Sequence, residues 1–152
     1  IGDNNLFMAF VHIAHDCVVG DHVTMANLAS LCGHVVVEDR AALGGMAGIH
    51  QHVVIGTMGF VAGCSKVVKD ALPYMIVDGN PARCPGLNIV GLTRNGVSES
   101  SRRALKDAYR VLCRSSLNIA QAIEKVEEEV ENCSEVAHLV EFVRASQRGI
   151  TK

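Results

Sequence analysis

The stretch VVGDHVTMANLASLCGHVVVEDRAALGGMAGIHQHVVIG, residues 18–56, decides the fold. Val19, Met25, Leu31, Val37, Leu43, Ile49 and Ile55 recur in it at every sixth place. The series begins earlier, with Ile1, Phe7 and Ile13, and continues through Val61 and Val67, so that all twelve members are large and apolar. Four places later the residues are mostly small or β-branched: Cys17, Val23, Ala29, Val35, Ala41, Ala47 and Val53. A period of six matches neither an amphipathic helix nor an alternating strand. It matches a hexapeptide parallel β-helix, in which each hexad forms one flat side of a triangular coil. The apolar residue fills the interior, the small one fits beside it, and Gly or Asn is expected to relax the corners. Twelve hexads give four coils of 18 residues, about 19 Å of stack at roughly 4.8 Å per coil.

The remaining chain reads differently. Residues 73–97 hold all three prolines and several glycines and are expected to form a connecting loop. Ser98 has the character of a helix N-cap. Leu105, Ala108 and Leu112 repeat at helical spacing, then Ile119, Ile123, Val126 and Val130, then Val136, Leu139, Val140 and Val143. The predicted organisation is therefore an all-β unit followed by an α unit: a β-helix over 1–72, a connection over 73–97 and a small helical domain over 98–152.

Composition limits the function. Fourteen Lys and Arg against 16 Asp and Glu give a formal net charge of −2, which argues against nucleic-acid binding. Apolar residues make up 49% of the chain and aromatics 4%, which excludes low-complexity disorder. No apolar run reaches the length of a membrane-spanning helix. The six cysteines have neither zinc spacing nor the close spacing of a secreted disulfide framework, and reduced thiols are expected. The chain opens inside a repeat, so further N-terminal coils are expected to precede it.

A coil of 18 residues makes residues i and i+18 vertical neighbours. His15 then lies under Gly33, Gln51 and Lys69, Asp16 under His34 and His52, and Asn27 under Gly45 and Gly63. Six of the seven histidines fall in this half, and His12, His15, His34 and His50 are candidates for one outer strip. Any one of them is exposed by default, because the interior is too narrow for it. The glycines at 45 and 63 leave a groove for a long thin ligand, or merely ease a turn. A zinc site like that of gamma-class carbonic anhydrase needs an H-x4-H pair, which this sequence lacks, and no metal is expected.

In order along the chain stand His12-Ile13-Ala14-His15-Asp16-Cys17, Gly33-His34-Val35, Gly44-Gly45-Met46, Ile49-His50-Gln51 and the loop from Asn88 to Gly96, Asn-Ile-Val-Gly-Leu-Thr-Arg-Asn-Gly. Together they resemble the C-terminal part of the UDP-N-acetylglucosamine O-acyltransferase family, over essentially the whole chain. The resemblance implies a left-handed coil and a homotrimer with its site between subunits. It implies transfer of a hydroxyacyl chain from acyl carrier protein to the 3-hydroxyl of UDP-N-acetylglucosamine, the first step of lipid A synthesis. No cofactor is implied beyond the phosphopantetheine arm of the donor.

A sugar hydroxyl is a poor nucleophile at neutral pH and needs a base, a role that an imidazole suits. His15 matches the family's catalytic histidine, Asp16 its orienting carboxylate and Gly33 its backbone oxyanion donor. His12, His34, His50, Asn88 and Arg94 match positions lining the sugar nucleotide, and Gln51 one near the pantetheine arm. Gly45 and Gly63 match the positions that measure acyl length. Val90 and Asn95 depart from the family pattern, which often has Glu and a second basic residue there. Arg102, Arg103, Lys106, Arg110 and Arg114 form a basic stripe, either solvated surface or a landing site for the acidic carrier protein. A bacterial cytoplasm, or an organelle matrix in a plant, is the implied location. The alternatives are a hexapeptide transferase using acyl-CoA and a non-catalytic trimerising fragment.

Overall fold

The computed structural model describes residues 1–152. Strands of two residues alternate with four-residue corners from Leu6 to Val67 and wind into a left-handed, three-sided parallel β-helix. One side holds β1 Leu6–Phe7, β4 Thr24–Met25, β7 Ala42–Leu43 and β10 Phe60–Val61. The second holds β2 His12–Ile13, β5 Ser30–Leu31, β8 Gly48–Ile49 and β11 Lys66–Val67. The third holds β3 Val18–Val19, β6 Val36–Val37 and β9 Val54–Ile55. Every pairing among these strands is parallel and in 18-residue register, as in Leu6↔Thr24 and His12↔Ser30.

From Val19 to Val67 each sixth residue is at most 2% exposed. Each such side chain contributes on the order of 1.5–3 kcal/mol by leaving water. The first coil is open by comparison, with Ile1 exposed and Phe7 and Ile13 half-buried. The core continues without a break into the helices, as one cluster of 37 buried residues.

The corners depart from the expectation of Gly or Asn. Every sixth residue from Asn4 to Cys64 has φ between 53° and 66°, and only Asn4 is of the expected kind. The others include Phe10, Asp16, His34, Arg40 and Met46. Side chains rarely adopt this region, and they do so where surrounding structure over-determines it. Here the corner N–H donates to a carbonyl of the coil below, as in His34 to His15 (3.0 Å), Arg40 to Asp21 (2.8 Å) and Met46 to Asn27 (3.0 Å). Glycine has a different use. A Cβ on Gly44 would lie 2.9 Å from the Gly63 Cα in the coil above, so the absent side chain permits close approach of the two coils.

Residues 73–97, expected to be loop, are ordered otherwise. β12, Met75–Gly79, adds in parallel to β10, and β13, Ala82–Leu87, pairs back against β12. The hairpin thereby extends one side of the prism. Asn88 then caps helix α1, Ile89–Arg94, accepting from the Gly91 N–H at 3.0 Å. Three further helices follow: α2, Glu99–Arg114, α3, Ile119–Glu129, and α4, Ser134–Ala145. Ser98 caps α2 through the Ser101 N–H, and Asn118 with Gln121 forms a capping box on α3.

The helical unit is pinned to the prism. Asp70, 2% exposed, accepts from the Val54 N–H (2.9 Å) and the Ser146 hydroxyl (2.6 Å). Tyr74 and His138 share a 2.8 Å hydrogen bond, and His138 lies 3.5 Å from Glu38. No helix is long and apolar enough to cross a membrane.

Candidate active site

The prism has three corners, and the predicted residues divide among them. On one, the left-handed positions are Asp16, His34 and His52, with His15, Gly33 and Gln51 each one residue before. The stacking register sets the geometry here. A Cβ on Gly33 would fall 2.6 Å from His15 Cε1 and 2.7 Å from Nε2, so the imidazole lies directly against the Gly33 backbone. The Gly33 N–H donates to no group of the protein, which leaves it available to a ligand oxygen.

His15 Nδ1 lies 2.8 Å from Asp16 Oδ2, and His34 Nε2 lies 3.7 Å from the same oxygen. The hydrogen bond to His15, and after it the charge of His34, holds the Asp16 carboxyl below its ordinary range. An ionised Asp16 fixes the proton of His15 on Nδ1 and leaves Nε2 as the lone-pair nitrogen. The His34 ring stands edge-on to His15 at 5.1 Å. His15 and Asp16 side chains are 73% and 65% exposed, so this chain alone supplies only one wall of the site.

His15, Asp16 and His34 also offer three ligand atoms within 4.8 Å of one another, a donor set that could hold a divalent cation. The shared Asp16 oxygen is already the hydrogen-bond partner of His15, and all three groups are open to water.

The other predicted residues lie elsewhere. His50 faces Arg148, with Nδ1 at 3.3 Å from Nη2, and His12 is an exposed residue of β2 without a side-chain hydrogen bond. Gly45 and Gly63 precede the second corner, that of Met46 and Cys64; Cβ atoms there would press on carbonyls of the coil below at 3.3 and 3.2 Å. Asn88 and α1 sit on the third corner, where Asn88 Nδ2 donates to the Met58 carbonyl at 2.9 Å. Arg40 of that corner donates to Asn95 Oδ1 at 3.1 Å. Asn88 is thus engaged in capping and anchoring, whereas Arg94 projects unpaired into solvent. Val90 is 60% exposed on the same helix.

The 18-residue column sets His52 over Asp16, yet its place in the sequence alone gives it no role. The structure stacks its ring face to face on His34, 4.7 Å away and 11° from parallel. The i+18 rule was the signal available for this pair. A groove of about 550 Å³ extends from His34 and His52 to α4.

Comparison with known proteins bears on this geometry. Residues 70–151 match the family described as "Udp N-acetylglucosamine O-acyltransferase; Domain 2", and residues 1–33 match the bacterial transferase hexapeptide repeat. The acyl-[acyl-carrier-protein]–UDP-N-acetylglucosamine O-acyltransferase of Syntrophobacter fumaroxidans is 53% identical over all of this chain and 59% of its own length. Its counterpart in Thermodesulfovibrio yellowstonii is 47% identical over the same shares. The Arabidopsis UDP-N-acetylglucosamine acyltransferase structure is 40% identical, with a TM-score of 0.95 over 100% of this chain and 56% of that one. The chain thus spans about three-fifths of the length of the curated relatives it matches. With the coil, the hairpin and the helical unit all shared, the chain belongs to the UDP-N-acetylglucosamine O-acyltransferase family.

Proposed function

We propose that the protein carrying this chain transfers a 3-hydroxyacyl group from acyl carrier protein to the 3-hydroxyl of UDP-N-acetylglucosamine, the opening step of lipid A synthesis. The observation that carries the reading is the juxtaposition of His15, Asp16 and Gly33. His15 Nε2 takes the proton of the sugar hydroxyl as its oxygen attacks the thioester carbonyl. Asp16 stabilises the imidazolium that forms. The free Gly33 N–H donates to the oxyanion of the tetrahedral intermediate. Collapse expels the pantetheine thiolate, which regains a proton from His15. No cofactor takes part beyond the phosphopantetheine of the donor, and no metal is assigned a role.

The full site needs neighbours. The base, the glycine groove and the α1 residues Asn88 and Arg94 occupy three corners of one prism, so a single chain cannot bring them together. A three-fold ring would, by setting the His15 corner of one copy against another corner of the next. The second corner carries an exposed apolar ridge, Phe10, Leu28 and Met46, of the kind buried in such contacts. In that assembly Arg94 is free to meet the diphosphate, with His12, His34 and His50 along the sugar nucleotide and Gln51 near the pantetheine. Gly45 and Gly63 leave the acyl groove open.

The α2 stripe presents Lys106 unpaired and Arg102 bonded only to Thr93, while Arg103 and Arg110 are partly offset by Glu99 and Asp107. We assign that face to the acidic carrier protein and place the reaction in the bacterial cytoplasm or an organelle matrix.

The test is acyl transfer with His15→Ala in the protein that carries this chain. Loss of turnover with the oligomer preserved is the expected result, and substantial remaining turnover removes His15 from the mechanism. Comparing acyl carrier protein with acyl-CoA as donor separates this reading from an acyl-CoA-dependent transferase.

A further inference from the structure

His52 belongs to the machinery of the site although it touches neither His15 nor Asp16. Its backbone N–H donates to the Gly33 carbonyl at 3.2 Å, which locks its corner to the residue that backs the His15 imidazole. Its ring lies parallel to that of His34 at 4.7 Å. The His34 side chain is 46% exposed, and its only polar contact is the 3.7 Å approach of Nε2 to Asp16. The terminal torsion of a histidine is broad and roughly two-fold, so an unsupported His34 ring would turn freely at this surface. The face of His52 removes that freedom. It leaves His34 edge-on to His15 and aimed at the carboxylate that His15 also uses.

We propose that His52 is a positioning residue: a platform whose ring face holds His34 in place and through it the His15–Asp16 pair. This inference rests on the acyl-transfer reading above and adds a residue to it. The groove beyond His52 presents Glu38, Asp70 and Glu141 together with His138 and Arg148. These groups face the outer side of the platform and make no hydrogen bond to its ring, so stacking is the contact through which His52 acts.

The experiment uses His52→Ala and His52→Phe in the protein that carries this chain. Imidazole proton resonances of His34 are recorded alongside kcat and KM. Removing the platform in His52→Ala should release the His34 resonances from the ring-current shift of a stacked neighbour. It should also lower kcat about tenfold, beyond any rise in KM for the sugar nucleotide that His34 lines, because the transition-state geometry of the His15–Asp16 pair is lost. Phenylalanine keeps a flat face of similar breadth, so His52→Phe should retain the shifted resonances and recover most of kcat. The proposal is overturned if His34 resonates alike in the parent protein and His52→Ala. It is overturned equally if kcat survives although the His34 ring has been released, or if His52→Phe stays stacked yet inactive. A parent protein without acyl transfer from either donor would sink the functional reading instead, and the resonance comparison would then still decide whether the platform exists.

Discussion

At the scale of single residues, the distance between Gly33 and His15 gives the sharpest expectation. Gly33 does not have a left-handed backbone, so alanine strains nothing at its own position. Its methyl group would nonetheless enter the space of the His15 ring, at 2.6 Å from Cε1. Gly33→Ala should therefore fold and melt like the parent while losing about 10²-fold in kcat, the scale of a 1 Å misplacement; unchanged turnover would show that the ring is not held there. Asp16 gives a prediction in pH. A lowered carboxyl pKa means that the folded chain favours the ionised form, an advantage in place above the ordinary value of 3.8 and lost only as pH falls through the lowered one. Asp16 therefore stays charged wherever imidazoles titrate. Asp16→Asn should lower the plateau rate about tenfold or more without adding a transition in a rate profile between pH 5 and 9. The His15–Gly33 pairing was legible in the sequence, because spacing alone defines a column. The left-handed state of Asp16, His34 and His52 was not, since it comes from hydrogen bonds between coils and not from residue type.

At the scale of elements, the repeating strands could be read directly from their period, and α2, α3 and α4 from their apolar spacing and from Ser98. Helix α1 could not, and neither could the hairpin of β12 and β13. Its prolines and glycines mark loops elsewhere, but the open edge of β10 offers Phe60 and Val61 as partners for Ile76 and Val77, and that tertiary pairing overrides local signals. Caps also differ among the helices. α2 and α3 start with side-chain acceptors, whereas α4 starts at Cys133 with no side-chain cap. Ser98→Ala should cost about 1 kcal/mol, and Cys133→Ser, which supplies the missing side-chain acceptor without setting a second carboxylate beside Glu135, should add about 0.5–1 kcal/mol. Denaturant midpoints measured side by side check both signs, and two shifts in the same direction would contradict the capping argument.

For the whole molecule, the junction between prism and helices turns on Asp70. Replacing it by alanine leaves the Val54 N–H and the Ser146 hydroxyl without their acceptor, a loss of about 1–3 kcal/mol. Asp70→Ala should also loosen α4 against the prism, seen as faster amide exchange in Ser134–Ala145 than in α2; uniform protection across the helices would refute a junction held at this residue. Each coil touches only the coils beside it, so the stack approximates a one-dimensional chain of neighbours. The hairpin of β12 and β13 covers the last rung of one side. A disturbance introduced there reaches the rung of His15 only through the coils between, so its imprint on exchange lifetimes should fade step by step toward that histidine.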